Sequence, residues 1–108
     1  MARFIQNGGM IDYTPSGADV IAGAVVVQAD LVGIAKADIK DGVLGALAVE
    51  GVFEIAKEAP LVIAAGDKVY WVAANSNVNK TAAGNTYVGK AIKAAAEAAT
   101  TVLVRLDQ

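Results

Sequence analysis

The sequence repeats one stretch, IAGAVVV at residues 21–27 and IAAGDKVYW at residues 63–71. Each copy is typical of a glycine turn that leads into a strand of β-favouring residues. A V-G-x-A stretch follows in each copy, VGIA at residues 32–35 and VGKA at residues 88–91. A third apolar run comes after each, at residues 47–49 and 102–104. The pattern predicts a small β-protein made of two related halves.

We therefore expect a mainly β fold, either a small antiparallel β-barrel or a sandwich, with about seven to nine short strands. The 108 residues suit one domain. We expect a single β-domain over residues 20–108, with pseudo-repeats at about 20–57 and 62–107. Residues 1–19 contain the turn-forming pair Asn7-Gly8 and are expected to form an extended N-terminal arm or an edge hairpin.

Three segments predict particular strands. The apolar run from Val20 to Val27 favours a strand buried on both faces. The alternating pattern from Leu44 to Lys57 predicts one long strand, with a bulge or bend at Gly51. The segment from Thr101 to Leu106 predicts a last strand that points Val102, Val104 and Leu106 inward and Arg105 outward.

Composition indicates a core of small side chains. Hydrophobic residues make up 56% of the chain, whereas aromatic residues make up only 6%. Alanine and valine account for much of the hydrophobic share, so we expect a tightly packed core. Its few large side chains are expected to be Phe53, Tyr70 and Trp71.

Charge and missing residue types exclude several classes of function. The net charge is -2 and the cations are scattered singly along the sequence, which argues against a nucleic-acid partner. The chain has no cysteine and no histidine. It therefore lacks thiolate ligands and the commonest general base at neutral pH. We expect no enzyme activity, no catalytic residues, no cofactor and no metal ion.

One string resembles an enzyme motif. Residues 84–91 fit the phosphate-binding pattern G-x-x-x-x-G-K-[ST] except at the last position, where Ala91 lacks the hydroxyl that holds magnesium. The motif also requires a loop between a buried strand and a helix, whereas residues 86–88 favour a strand. A phosphate-binding function is therefore disfavoured, and Lys90 is interpreted as an incidental surface charge.

The carboxylates do not form a recognisable site. Asp12, Asp38 and Asp41 lie beside turn residues, where aspartate caps or breaks local structure. Glu50 and Glu54 are expected on a solvated strand face rather than across a catalytic cleft.

Nothing in the sequence predicts membrane insertion. The N-terminal residues have no apolar segment typical of a signal peptide. The longest apolar run, about residues 20–27, is far shorter than the roughly 20 residues that span a bilayer. We expect a soluble protein that is made in the cytoplasm and has no membrane partner.

The adjacent aromatics Tyr70 and Trp71 could form a platform that stacks on sugars or bases. Neighbouring residues on a strand face opposite sides, so we expect one ring in the core and the other exposed or in an interface. A subunit interface is favoured over a ligand site, because aromatic residues are enriched in interface cores.

An ordered set of segments over nearly the whole chain resembles one known family, the small capsid cement (head decoration) proteins of tailed bacteriophages. The segments are Phe4-Ile5-Gln6-x-Gly8, Ile11-Asp12-Tyr13, LVGIA at residues 31–35, GALAVEGVFE at residues 45–54, Gly66-x-x-Val69-Tyr70-Trp71, Gly84-Asn85-x-x-Val88-Gly89-x-Ala91 and TVLVRL at residues 101–106.

The resemblance implies a structural protein of the virion. Members of the family bind the outside of an assembled phage head, commonly as homotrimers, and stabilise it, so the implied partner is the major capsid protein. Some members carry the label of predicted RecA/RadA-type recombinases, which makes an NTP-dependent recombination protein one alternative. A carbohydrate-binding decoration module is another. The candidate residues of a subunit or capsid interface are Phe4, Ile5, Tyr13, Tyr70 and Trp71.

Overall fold

The computed structural model describes residues 2–4 and 8–107. This described part of the chain forms nine β-strands and no helix. The strands are β1 (Met10–Tyr13), β2 (Val25–Gln28), β3 (Leu31–Ala35), β4 (Gly45–Ala48), β5 (Gly51–Ala56), β6 (Lys68–Val72), β7 (Asn77–Asn79), β8 (Thr86–Ala91) and β9 (Thr101–Leu106). The predicted mainly β class is confirmed.

The strands are divided between two sheets. The first has the order β1-β4-β3-β2, and the second has the order β5-β9-β8-β6-β7. Strand β4 pairs antiparallel with β1 and β3, and β9 pairs antiparallel with β5 and β8. Each sheet has two edge strands, so the nine strands do not close into one barrel.

The two sheets share one strand order. Written by position within each half, both sheets place the first strand beside the fourth, then the third, then the second, and β7 is an addition at the edge of the second sheet. In the structure the repeated order starts at β1, whereas the sequence pattern placed the first repeat from about residue 20. The domain boundaries drawn from the sequence stay a prediction.

The repeated glycine turn has the same geometry in both halves. Gly23 and Gly66 both have a φ of 90°, a backbone conformation that favours glycine. The amide of Gly23 donates to the carbonyl of Ala35, and the amide of Gly66 donates to the carbonyl of Ala91, both at 2.7 Å. Equivalent antiparallel bridges precede these turns, between Val20 and Ile39 and between Ile63 and Ala95. The repeated sequence therefore encodes one repeated turn.

The structure has two compact units, Met1–Val26 with Gly33–Glu50 and Val27–Val32 with Gly51–Gln108. In the first, Ile11, Tyr13, Val20 and Val26 pack against a buried cluster of Ala35, Ile39 and Leu47. In the second, the buried side chains are mostly small aliphatics, including Ile63, Val69, Val78, Val88 and Val104. The small-residue core matches the composition, but Phe53, Tyr70 and Trp71 are only half-buried.

Two strand predictions are wrong. The run from Val20 to Val27 is not a continuous buried strand, because the positive φ of Gly23 turns the chain and leaves Ile21 69% exposed. The predicted long strand from Leu44 to Lys57 is two strands, β4 and β5, in different sheets. They separate just before Gly51, whose φ of 116° supplies the bend that the sequence indicated.

Candidate interaction surface

The string that resembles a phosphate-binding loop is part of a strand. Residues 86–91 form β8, which pairs with β6 and β9. A Cβ atom on Gly89 would overlap the carbonyl oxygen of Arg105 and lie 2.9 Å from its carbonyl carbon. Glycine is therefore required at this position by the close approach of two strands, and the local geometry is not that of a phosphate-binding loop.

The five candidate interface residues are not brought together in one cluster. Phe4 is 80% exposed, and Ile5 lies outside the described residues. Tyr13 is half-buried and packs against the core cluster of the first unit. Tyr70 and Trp71 lie in β6 of the second unit. Whether any of the five contacts a partner stays a prediction.

Tyr70 and Trp71 face opposite sides of β6, as alternation along a strand requires. The Tyr70 ring lies 5.6 Å from the Tyr87 ring, at an interplanar angle of 60°. Trp71 is opposite Val78 of β7, which is completely buried. Both Tyr70 and Trp71 are half-buried, so neither ring is fully in the core, and the expected interface position of one of them stays a prediction.

Tyr87 begins a short polar network on the exposed side of the second sheet. Its hydroxyl lies 3.4 Å from Asp107 Oδ2, and Lys90 Nζ lies 3.1 Å from the same oxygen. The hydrogen bond and charge of Asp107 raise the pKa of Lys90, and Lys90 in turn lowers the pKa of Asp107. Burial, followed by the charge of Asp107, raises the pKa of the Tyr87 phenol.

Strand pairing places three cations in a line across this sheet. Lys68 of β6 is directly opposite Lys90 of β8, and Lys90 is directly opposite Arg105 of β9. All three side chains are exposed. We call this line the cationic row. Together with Tyr70, Tyr87 and Asp107 it forms what we call the tyrosine–lysine face.

Sequence reasoning missed the cationic row because its members are far apart in the chain. The cations at positions 68, 90 and 105 look like single scattered charges in the sequence. They become neighbours only through the register of β6, β8 and β9, which includes an irregularity between Val69 and Tyr70. A row of this kind requires knowledge of strand order and register, and a linear motif does not supply it.

A family model described as phage cement protein matches residues 5–106, nearly the whole chain. The chain belongs to the phage cement protein family. No curated protein and no solved structure shows a significant match to it. The family resemblance inferred from the ordered segments is therefore confirmed, and the family points to a structural role in the phage capsid.

In this cement protein, aspartate side chains connect the exposed loops of the first unit through hydrogen bonds. Asp41 Oδ1 accepts the amide of Gly17 at 2.9 Å, and Asp19 Oδ1 accepts the amide of Asp41 at 2.8 Å. Asp38 Oδ1 accepts the amide of Ala22 at 2.8 Å. The hydrogen bond from the Asp41 amide, with help from the Lys40 charge, lowers the pKa of Asp19. The acceptors Asp38 and Asp41 join loops that are 16 and 24 residues apart in sequence, which is a longer-range role than the local one that their turn positions predict.

In the second unit of the cement protein, a buried lysine connects the loops through hydrogen bonds. Lys57 is 5% exposed, and its ammonium group donates to the carbonyls of Glu58 at 2.9 Å, Leu61, and Glu97 at 3.5 Å. An ammonium group has three donors and no acceptor, so three carbonyls can satisfy it without a carboxylate. Lys57 therefore has a structural role, and sequence reasoning gave no sign of it.

No group of three or more His, Cys, Asp or Glu side chains in residues 2–4 and 8–107 is arranged to hold a metal ion. No helix in the same part of the chain is long and apolar enough to cross a membrane.

Proposed function

We propose that this protein binds the outer surface of an assembled phage head and stabilises the shell. The observation that carries the proposal is the match of the phage cement protein family to residues 5–106. The match covers all nine strands, so it applies to the fold as a whole and not to one motif. The protein that it would bind is the major capsid protein.

The exposed side chains are suited to contacts with another protein. Among the residues that the structure describes, six large apolar side chains are more than half exposed: Phe4, Ile21, Val43, Leu44, Val52 and Val62. Most of them lie in turns and loops outside the strands. Several weak contacts of this kind, made at once by a homotrimer, would add in avidity without any single strong site. The trimer is part of the proposal.

Head binding is tested with purified protein and phage heads that lack it. The two are mixed at increasing protein concentration, sedimented together and imaged by cryo-electron microscopy. We expect saturable binding at fixed positions on the outer surface, and a higher temperature of head disruption when the protein is bound. Absence of saturable binding to heads of the phage that encodes the protein would contradict the proposal.

Oligomeric state is tested separately by light scattering coupled to gel filtration. We expect three times the 10.9 kDa mass of the chain. A monomer at micromolar concentration would contradict the trimer and leave head binding to be judged by sedimentation alone.

A further inference from the structure

We propose that the tyrosine–lysine face of the second unit docks on a carboxylate-bearing surface of the phage head. The inference rests on the proposed function and names the chemistry of the partner surface. It starts from the cationic row, in which Lys68, Lys90 and Arg105 are directly opposed across three neighbouring strands. Like charges that are directly opposite in a sheet destabilise it, so the row is unfavourable in the isolated protein.

The row is only partly neutralised by the protein itself. Asp107 pairs with Lys90, and the described residues place no carboxylate within ion-pair distance of Lys68 or Arg105. Asp67 precedes Lys68 in the chain, but its carboxylate pairs with Lys80. Glu54 of β5 is opposite Leu103 and not opposite a cation. The face therefore keeps an excess of positive charge, which carboxylates of a partner would complement.

The side chains around the row are those of a protein interface. Tyrosine and arginine are enriched among the residues that contribute most to protein–protein binding. Tyr70 and Tyr87 contact each other as tilted rings beside the row, and Asp107 accepts a hydrogen bond from the Tyr87 hydroxyl. Because these groups are already positioned by contacts within the chain, binding would cost less conformational entropy than it would for free side chains.

The net charge of the chain favours one orientation of the molecule as it docks. The net charge is -2, so an acidic surface would repel the molecule as a whole. The same surface would attract the tyrosine–lysine face. Charge complementarity of this kind acts mainly on the association rate and on the docking orientation, and both effects weaken as salt is added.

The test compares two triple variants with the same change in net charge. The row variant carries Lys68→Gln, Lys90→Gln and Arg105→Gln. The control variant carries Lys36→Gln, Lys80→Gln and Lys93→Gln, at exposed positions outside the row. Each set breaks one surface ion pair, Lys90 with Asp107 or Lys80 with Asp67, so the two variants are matched in that respect too.

We expect the row variant to bind heads at least about tenfold more weakly than the wild type, and the control variant to bind within about twofold. Raising salt from roughly 0.05 to 0.5 M should weaken wild-type binding strongly and row-variant binding only slightly. Lys68→Arg with Lys90→Arg keeps the charge and should keep binding. Thermal unfolding of each variant checks that the fold is retained.

The possible failures are distinguishable. If the wild type binds heads and the row variant binds equally well, the inference is overturned and the proposed function stands. If the wild type does not bind, both are overturned. Light scattering without heads tests the alternative that the tyrosine–lysine face binds a second copy of this chain. A row variant that loses the wild-type oligomeric mass would show that the face joins copies, which also overturns the inference.

Discussion

At the scale of single residues, the most unusual group is Lys57. Its ammonium is buried and its partners are backbone carbonyls of Glu58, Leu61 and Glu97. Burying a charge is costly unless hydrogen bonds satisfy it, and here the three carbonyls supply those bonds. The side chain therefore connects segments that are 40 residues apart in sequence.

Replacing this lysine should destabilise the protein. Lys57→Met keeps most of the apolar stem of the side chain but leaves the three carbonyls without their donor. We expect a loss of about 1–3 kcal/mol in the free energy of unfolding, measured by urea denaturation. Lys93→Met, at an exposed position, is the control and should change it by less than about 0.5 kcal/mol. Equal stability of the two variants would contradict the structural role of Lys57.

Three glycines should respond to alanine in a graded way. A Cβ on Gly89 meets backbone, a Cβ on Gly33 meets the Leu47 side chain at 2.8 Å, and a Cβ on Gly8 meets nothing within 4 Å. Backbone cannot yield as a side chain can. In thermal or urea unfolding we expect Gly89→Ala to cost at least about 2–3 kcal/mol, Gly33→Ala less and Gly8→Ala little. A tolerated Gly89→Ala would contradict the close strand approach.

At the scale of elements, the two halves form a loop contact at the same position with side chains of opposite charge. Asp41 and Glu97 each lie two residues after the bridging residue of their half, Ile39 or Ala95. In the first half, carboxylates of Asp19 and Asp41 accept backbone amides. In the second, the Lys57 ammonium donates to the backbone carbonyl of Glu97. The fold repeats the position of a loop contact without repeating its charge.

The carboxylate version of this contact should make stability depend on pH. The Asp41 amide and the Lys40 charge hold the pKa of Asp19 below its ordinary value of 3.8. A carboxyl with a lowered folded pKa stabilises the protein above its unfolded pKa, and this contribution is lost as pH falls through the folded pKa. We expect Asp19→Asn to be less stable than the wild type near neutral pH.

The difference between Asp19→Asn and the wild type should then narrow as the pH falls below about 4. Urea unfolding measured across this range tests it, because asparagine keeps a side-chain oxygen but has no charge to lose. A constant difference at every pH would assign the effect of the substitution to packing and contradict the role of the Asp19 charge.

The strands show which elements a sequence pattern predicts well. The last strand spans Thr101–Leu106 with Val102, Val104 and Leu106 buried and Arg105 exposed, as its alternation indicated. Strand β6 also matches its β-favouring residues. The run from Val20 to Val27 was wrongly predicted to be one continuous strand, because hydrophobicity alone does not reveal the positive φ of Gly23. Local patterns predict which side chains of a strand are buried and which are exposed. A turn inside an apolar run depends on backbone geometry, which the pattern does not show.

At the scale of the whole molecule, the sequence predicts the family, the β class and the repetition, since each depends on ordered local patterns. It does not predict the tyrosine–lysine face. Lys68, Lys90 and Arg105 become neighbours only through the order β9-β8-β6, which is non-local. A charged surface of this kind can be inferred only after the register of several strands is known.

Phe4 allows binding and folding to be separated. Its side chain is 80% exposed, so Phe4→Ala should change the free energy of unfolding by less than about 0.5 kcal/mol. If Phe4 is one of the few interface residues that dominate binding to the head, the same variant should bind undecorated heads at least about fivefold more weakly, because truncating such a residue costs more than about 1 kcal/mol. Tyr13→Ala is the contrasting variant. Tyr13 packs against the core of the first unit, so its removal should lower stability first.

Sedimentation with heads and urea unfolding, carried out on Phe4→Ala and Tyr13→Ala together, distinguish the two roles. Substitution of an exposed contact residue changes the head affinity but not the free energy of unfolding. Substitution of a core residue lowers the free energy of unfolding and reduces binding only by raising the unfolded fraction. Unchanged head affinity of Phe4→Ala would show that its side chain does not contribute measurably to head binding. The proposed attachment would then depend on other surfaces, of which the tyrosine–lysine face has the stronger physical argument.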